Sequence, residues 1–234
     1  MALPFFYEPD LPETGTHFTL SEESGRHCIQ VLRMKTGEGL QITNGKGLLQ
    51  TAIIVSDDKK KTVVILQKAE HQPPPVKKIS IAISLLKNAT RFEWFLEKAT
   101  EIGVFEILPI ISKRTEHTRF RPDRMNGILT AAMLQSQQTW LPILQVPILF
   151  EQLIPAKNYA QTLIAHCEKG KEKCFIRDLP SSSETLILIG PEGDFTPSEI
   201  QLALEKNYIP ISLGETRLRT ETAGVVAATL LINR

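Results

Sequence analysis

Three consecutive prolines, Pro73-Pro74-Pro75, constrain the fold of this 234-residue chain more than any other feature. Proline has no amide donor and a fixed φ, so the run excludes a helix interior or a central strand and predicts an extended spacer. The sequence patterns on its two sides also differ. We therefore predict two domains, residues 1–72 and 73–234.

The first domain has the pattern of a small all-β fold. Short β-like runs at 39–43, 48–55 and 62–66 are separated by Asn44-Gly45 and by a charged turn at 56–61. A short helix is expected only near residues 22–33. The pattern predicts a β-barrel or a sandwich.

The second domain alternates between strand-like and helix-like segments. Its run Leu186-Ile187-Leu188-Ile189 is continuously apolar, which is typical of a strand buried on both faces of a parallel sheet. Helices are expected at about 90–102, 122–138, 197–206 and 222–232, and the other strands at 78–84, 105–111, 162–165 and 209–213. This pattern predicts an α/β domain.

Two tetrapeptides match the capping box that begins a helix, and one glycine marks a helix end. The capping boxes are Thr90-Arg91-Phe92-Glu93 and Thr196-Pro197-Ser198-Glu199, the second with proline at the first helical position. Gly103 follows the apolar face of the first of these helices. These signals predict the bounds of two helices.

Composition argues against several classes of protein. With 27 basic and 26 acidic residues the net charge is +1, so any nucleic-acid surface must be local. The three cysteines, Cys28, Cys167 and Cys174, are widely spaced, which disfavours a disulfide framework and a zinc site. The five histidines show no ligand spacing, so we expect no metal.

Other motifs are missing from the sequence. There is no G-x-G-x-x-G, no G-K-[ST] and no G-x-S-x-G, which disfavours dinucleotide, P-loop and α/β-hydrolase sites. No basic leader and no run of about 18 apolar residues occurs. We expect a cytoplasmic protein without membrane segments.

Two glycine-containing segments each follow a short apolar run near the carboxyl terminus. They are Ile189-Gly190-Pro191-Glu192-Gly193-Asp194-Phe195 and the stretch from Leu213-Gly214 to Ala223. Loops at the carboxyl ends of parallel strands are where open α/β sheets bind ligands, and glycine lets backbone amides approach a ligand closely. A plain turn into a helix explains either segment alone; the pair favours a binding site.

The same segments resemble the ribosomal RNA small subunit methyltransferase E family. The resemblance rests on Ile189-Gly190-Pro191-Glu192-Gly193 and Leu213-Gly214 with Leu218-Arg219-Thr220-Glu221-Thr222-Ala223. It extends over nearly the whole chain, through Leu86-Lys87 with 92–103, Gln135-Ser136 with Leu141-Pro142, and His27 with Val31-Leu32-Arg33-Met34-Lys35 and Gly37.

The resemblance implies a fold, an activity and partners. The expected fold class is α/β, with an amino-terminal PUA-like β-barrel and a SPOUT-type α/β domain that has a carboxyl-terminal trefoil knot. The expected reaction is S-adenosylmethionine-dependent methylation of N3 of a uridine in 16S ribosomal RNA, within the small ribosomal subunit. The family also implies a homodimer.

The resemblance also implies the site residues. For S-adenosylmethionine they are Ile189, Gly190, Glu192, Gly193, Leu213, Gly214, Leu218, Thr220, Thr222 and Ala223. Arg219 would hold the oxygens of the reacting base with its planar guanidinium, and Glu221 would accept the N3 proton or fix the arginine. The structural alternatives are that the leucines only fill the hydrophobic core and that Arg219 and Glu221 form an ion pair that braces the loop.

RNA would be bound by local positive charge. The cluster Lys113, Arg114, Arg119, Arg121 and Arg124 suits phosphate contacts, although a solvated polar loop has the same composition. The further RNA-binding residues expected are Arg33, Lys35, Lys87, Arg91 and Gln135.

The chain departs from the family pattern at two places. Asp194 stands where a second glycine is common, and Gln138, Thr139 and Trp140 stand where basic residues often follow Gln-Ser. The first departure leaves Gly190 and Gly193 available to the cofactor, whereas the second bears on how this helix end meets RNA.

Two alternatives to the expected activity stay open. One is a SPOUT-fold methyltransferase that acts on another RNA position. The other is a non-catalytic RNA-binding factor in ribosome assembly, against which the retention of Arg219 and Glu221 argues.

Overall fold

A computed structural model gives the structure of the chain and describes residues 3–156, 159–168 and 172–234. The chain divides into two compact units. One comprises Met1–Pro74 with Met133–Leu141, and the other comprises Pro75–Ala132 with Pro142–Arg234. The division after Pro74 falls within the proline run, and the return of residues 133–141 to the first unit has no signal in the sequence.

The first unit is built on a five-stranded sheet. Its strands are β1 (Phe5–Tyr7), β2 (His17–Thr19), β3 (Gly39–Thr43), β4 (Leu48–Ser56) and β5 (Val63–His71), in the spatial order β1-β3-β4-β5-β2. All neighbours pair antiparallel except β1 with β3. Helix α1 (Glu22–Arg26) continues into a π-helical turn at His27–Val31, which agrees with the short helix expected near 22–33.

Alternating side chains of the sheet form the core of the first unit. The burial pattern of β4 alternates from Leu48 to Ile54, and Leu40 and Ile42 of β3 are fully buried. Cys28 joins this core, and burial raises the pKa of its thiol to about 11. The thiol therefore stays protonated at neutral pH.

The returning segment 133–141 is bound to the hairpin loop between β3 and β4. The amide of Gly47 donates to the carbonyl of Thr139 at 2.9 Å, and the amide of Leu141 donates to the carbonyl of Gly45 at 2.9 Å. The indole of Trp140 donates to the carbonyl of Gln72 at 3.3 Å. Thr139 and Trp140, two of the residues at the departure noted in the sequence, therefore attach this segment to the first unit.

The second unit contains an eight-stranded parallel sheet. Its spatial order is β11-β13-β10-β12-β6-β7-β8, and β9 pairs with β7 beside β8. The strands are β6 (Lys78–Ser84), β7 (Glu106–Ile111), β8 (Ile143–Leu144), β9 (Ile148–Leu149), β10 (Gln161–Ala165), β11 (Cys174–Phe175), β12 (Glu184–Ile189) and β13 (Ile209–Ser212). The short strands β8, β9 and β11 were not expected from the sequence.

The helices of this unit are α2 (Ala89–Ile102), α4 (Phe150–Ala156), α5 (Pro197–Glu205) and α6 (Thr220–Ile232), while α3 (Pro122–Gln135) begins in this unit and ends in the first. The capping box at Thr196 is confirmed, and Gly103 ends α2 with φ 94°. The capping box predicted at Thr90 is wrong, because the side chain of Asn88 accepts from the amide of Thr90. The N-cap of α2 is therefore Asn88, two residues before the predicted Thr90.

Two further predicted bounds are wrong. Helix α3 ends at Gln135 instead of 138, because the amide of Gln138 donates to the carbonyl of Met133 and Gln137 has a positive φ of 55°. Helix α6 begins at Thr220 instead of 222, with Arg219 as its N-cap residue. Thr220 and Glu221 are therefore helical.

Helix α6 packs closely on α2 within the second unit. A Cβ added to Gly224 would lie 2.5 Å from Cε2 of Phe95, so this contact requires glycine. Ala227 and Ala228 are fully buried in the same helix. Among the described residues, none of the helices combines the length and the apolar character that a membrane span requires.

Candidate functional site

Three neighbouring strands of the parallel sheet end at one cleft. Strands β13, β10 and β12 lie side by side, and the segments that follow them are 213–219, 166–168 and 190–196. These segments line a cavity of about 840 Å³. All three segments follow the carboxyl ends of parallel strands, which is the edge where open α/β sheets bind their ligands.

Most of the residues predicted to bind a cofactor line this cleft. Thr222 is the exception: it lies in the first turn of α6 between the lining residues Thr220 and Ala223, but it does not itself contribute to the cavity wall. The lining residues among those predicted are Ile189, Gly190, Glu192, Gly193, Leu213, Gly214, Leu218, Thr220 and Ala223. The structure thus brings together two segments that helix α5 separates in sequence.

The loop after β12 is a compact turn whose own packing favours glycine at position 190. The amide of Asp194 donates to the carbonyl of Pro191 at 2.9 Å and closes the turn. A Cβ on Gly190 would lie 3.1 Å from the amide nitrogen of Phe195, which is tighter than most real contacts. Because Gly190 also lines the cleft, the backbone of this loop is accessible to a ligand on one side and packed on the other.

Arg114 holds the same loop from the segment that follows β7. Its guanidinium donates to the carbonyl of Gly193 at 2.6 Å and to that of Phe195 at 3.5 Å. A Cβ on Gly193 would lie 3.3 Å from Cδ of Arg114. The sequence predicted Arg114 as a phosphate-binding residue; its contacts favour bracing of the loop.

The loop after β13 places Arg219 at the amino terminus of α6. The hydroxyl of Ser212 donates to the carbonyl of Gly214 at 3.0 Å and shapes the start of the loop. Arg219 lines the cleft, and its carbonyl accepts from the amide of Ala223 at 2.8 Å. Within the described ranges its exposed guanidinium forms no hydrogen bond or ion pair, so it is available to a substrate.

Glu221 lies behind the cleft instead of in it. Its side chain is 8% exposed, and its Oε1 atom lies 3.7 Å from Nε of Arg91 on α2. Its Oε2 atom is buried and has no hydrogen-bond partner in the described part of the chain. Glu221 thus pairs with Arg91 and not with Arg219. This pairing favours a role in which Glu221 orients the start of α6.

Several of the basic residues predicted to bind RNA are engaged in ion pairs of the second unit. Arg124 donates to Glu93 through Nε at 2.5 Å and Nη2 at 2.7 Å, which lowers the pKa of Glu93. Lys87 pairs with Glu116 at 2.7 Å, and this hydrogen bond raises the pKa of the lysine. Arg119 and Arg121 are exposed without a hydrogen bond or ion pair to any described residue.

In the first unit, the predicted RNA-binding residues are also exposed. Arg33 has a positive φ of 58°, and Nζ of Lys35 lies 4.0 Å from Oδ2 of Asp57. Gln135 is exposed at the last position of α3. These side chains are accessible to a polyanion.

The sequence did not reveal the middle wall of the cleft. Segment 166–168 follows β10, contains no glycine and contributes His166, Cys167 and Glu168 to the cavity. A strand was expected at 162–165, but its position between β12 and β13 is a long-range feature without a local signal. Within the described ranges, no three His, Cys, Asp or Glu side chains come together as a metal site requires.

Two family models match the chain. The model of an RNA methyltransferase domain matches residues 72–232, and that of an RNA methyltransferase PUA domain matches residues 20–67. A curated relative, the ribosomal RNA small subunit methyltransferase E of Mesomycoplasma hyopneumoniae, is 35% identical over 164 residues, which cover 68% of this chain and 70% of the relative.

Solved structures of similar proteins agree with these matches. A probable rRNA-methyltransferase from Porphyromonas gingivalis is 40% identical with a TM-score of 0.90, over 97% of this chain and 95% of that one. A ribosomal RNA small subunit methyltransferase E from Neisseria gonorrhoeae, bound to S-adenosylmethionine, is 27% identical with a TM-score of 0.86, over 97% and 95% of the two chains.

Proposed function

Because the chain belongs to the ribosomal RNA small subunit methyltransferase E family, we propose that it transfers the methyl group of S-adenosylmethionine to N3 of a uridine in 16S ribosomal RNA. The observation that carries this proposal is the single cleft formed by the segments after β10, β12 and β13. The site residues fit the cofactor, since the loop backbones supply polar partners and Ile189, Leu213 and Leu218 supply apolar surface.

S-adenosylmethionine supplies an electrophilic methyl group on a sulfonium centre. The task of the protein is therefore to hold donor and acceptor in line, for which a preformed cleft is suited. Buried polar edges of the adenine require hydrogen-bond partners, which the backbone of 190–193 and 213–218 offers. Close backbone approach is possible at Gly190, Gly193 and Gly214.

N3 of uridine is an imide nitrogen that becomes nucleophilic when its proton passes to water, and its attack on the methyl group releases neutral S-adenosylhomocysteine. The negative charge of the deprotonated base is shared with the carbonyl oxygens on either side of N3. Arg219 lines the cleft with a guanidinium that no described residue engages, so it is placed to hold those oxygens. The Arg91–Glu221 pair fixes the first turn of α6 and orients the segment that carries Arg219.

Cofactor binding should depend on the loop after β12. We expect Gly193→Val to weaken S-adenosylmethionine binding by at least ~10-fold, about 1.4 kcal/mol, because the added carbons displace Arg114 from the loop carbonyls. Titration calorimetry measures this. Arg114→Ala should have a smaller effect in the same direction, and unchanged affinity in a folded Gly193→Val chain would place the cofactor elsewhere.

RNA binding should depend on salt through Arg119 and Arg121. If both arginines bind phosphates, reversal of their charges to glutamate should flatten the plot of log affinity against log salt by about 0.7–0.9 for each phosphate that is no longer bound. Arg177→Glu is the matched control, since Arg177 is exposed and pairs with Asp178. An unchanged slope in the double variant would mean that this cluster is only solvated.

We propose the following division of labour between the two predicted domains. Residues 1–72 bind RNA as a PUA-like domain, with Arg33 and Lys35, and residues 73–234 carry the methyltransferase site. The matches of the PUA and methyltransferase models to separate parts of the chain support this division. The trefoil knot stays a prediction, because strand order and pairing do not define how the chain is threaded.

We further propose that the protein is a cytoplasmic homodimer that acts on the small ribosomal subunit. Leu230 of α6 is 41% exposed, as is Trp94 of α2, so each of these two packed helices retains an apolar side chain for a partner. Gly224, Ala227 and Ala228 are not available for that contact, since they are buried within the unit. Sedimentation at micromolar concentration tests the dimer.

A further inference from the structure

Asp194 joins two walls of the cleft through both oxygens of its carboxylate. Its Oδ2 atom accepts from the amide of Cys167 at 2.7 Å, and its Oδ1 atom accepts from the amide of Phe195 at 2.8 Å. Cys167 belongs to the segment after β10, and Asp194 to the loop after β12. One side chain therefore connects the ends of two neighbouring strands.

The backbone of Asp194 has a conformation that glycine adopts more easily. Its φ is +63°, in the left-handed region that side chains generally disfavour and that aspartate tolerates better than most. The strain that aspartate adds there is offset by its hydrogen bonds, since those between a carboxylate and backbone amides are strong.

The contact with Cys167 bears directly on the cavity. His166, Cys167 and Glu168 form the wall between the two glycine-containing loops, and all three line the cleft together with Asp194. His166 is buried, and its Nδ1 atom accepts from the amide of Glu168 at 3.2 Å, so this wall has a defined shape. The bond from Asp194 fixes that shape relative to the loop after β12.

We infer that Asp194 is a positioning residue that ties segment 166–168 to loop 190–195 and thereby holds the middle wall of the cleft ready for the cofactor. The inference rests on the proposed function, since it assumes that S-adenosylmethionine occupies this cleft. A wall held in place before binding loses less conformational entropy when the ligand arrives. The tie therefore acts on cofactor affinity more than on the methyl-transfer step.

The thiol of Cys167 can report on the tie, that is, on the hydrogen bond between the amide of Cys167 and the carboxylate of Asp194. Cys167 is exposed and lies in the cleft, whereas Cys28 is buried and Cys174 is exposed on β11, outside the cleft. In a Cys174→Ser background, a disulfide reagent therefore reports on Cys167. Loss of the tie should speed the reaction of this thiol, and bound cofactor should slow it.

The test compares Asp194→Gly with Asp194→Asn in that background. Glycine keeps the backbone conformation and removes the carboxylate, so we expect the dissociation constant and the KM for S-adenosylmethionine to rise about tenfold, with a smaller change in kcat. Asparagine retains one acceptor oxygen and should lie between glycine and the parent chain. The thiol of Cys167 should react fastest in the glycine variant, more slowly in the asparagine variant and slowest in the parent chain.

The outcomes separate the inference from the proposed function. If the parent chain does not bind S-adenosylmethionine, the proposed function is wrong and the tie has no ligand to position. If the parent binds it and both variants match the parent in affinity and in Cys167 reactivity, the inference is overturned while the function stands. Should the glycine variant fail to fold, the asparagine variant decides by the same two measurements.

Discussion

Arg219→Ala is expected to reduce methyl transfer at least ~100-fold while cofactor affinity stays close to that of the parent chain, the usual scale when a group that stabilises developing charge is removed. Arg219 lines the cleft at the N-cap of α6, and its guanidinium is not engaged by any described residue. Its removal leaves the charge on the uridine oxygens without a partner. Single-turnover rates with saturating RNA and cofactor measure the effect.

A nearby arginine provides the matched control for Arg219. Arg217 is exposed in the same loop, also lines the cleft and likewise has no described partner. Arg217→Ala should lose far less turnover, because it removes the same charge from a position without a proposed role in the reaction. Equal losses in the two variants, or parental turnover in Arg219→Ala, would contradict the assignment of Arg219.

Gly224→Val is expected to destabilise the second unit by roughly 3 kcal/mol or more, the upper range for overpacked cores. A Cβ there would lie 2.5 Å and 2.8 Å from two ring carbons of Phe95 and 3.1 Å from Cδ1 of Ile83. Both of these neighbours are fully buried, so neither can swing into solvent. Helices α6 and α2 must therefore move apart. Urea unfolding followed by circular dichroism measures the change in stability.

A substitution at Gly127 serves as the control that separates the packing effect at Gly224 from the effect of helix propensity. Gly127 lies inside α3, and a Cβ there would have no neighbour within 4 Å. Gly127→Ala should raise stability by about 0.5–1 kcal/mol, because alanine favours the helix more than glycine does. A Gly224→Val chain as stable as the parent would show that α6 and α2 do not pack as described.

The sequence predicts those parts of the fold that have local causes. The capping box from Thr196 to Glu199 is confirmed because its hydrogen bonds lie within four residues. At α2 two local signals compete, and Asn88 caps the helix two residues before the predicted Thr90. The attachment of 133–141 to the loop around Gly47 joins residues that lie far apart in the chain, so no local pattern indicates it.

The candidate site likewise contains some features with local sequence signals and others that depend on long-range packing. The two glycine-containing loops have local signatures, and both line one cleft. The third wall has none, because only the strand order places Cys167 beside Asp194. Likewise, the sequence suggests a partner for Glu221 within its own loop, whereas helix packing brings Arg91 to it.

Methylation of 16S ribosomal RNA by the purified protein tests the central claim most directly. Small subunits from cells that lack the gene would be incubated with the protein and S-adenosylmethionine, and their RNA digested and analysed by mass spectrometry. We expect one methyl group on N3 of a single uridine, formed at least ~100-fold more slowly with Arg219→Ala. A methyl group on a ribose hydroxyl or another base, or no transfer to ribosomal RNA, would contradict the claim.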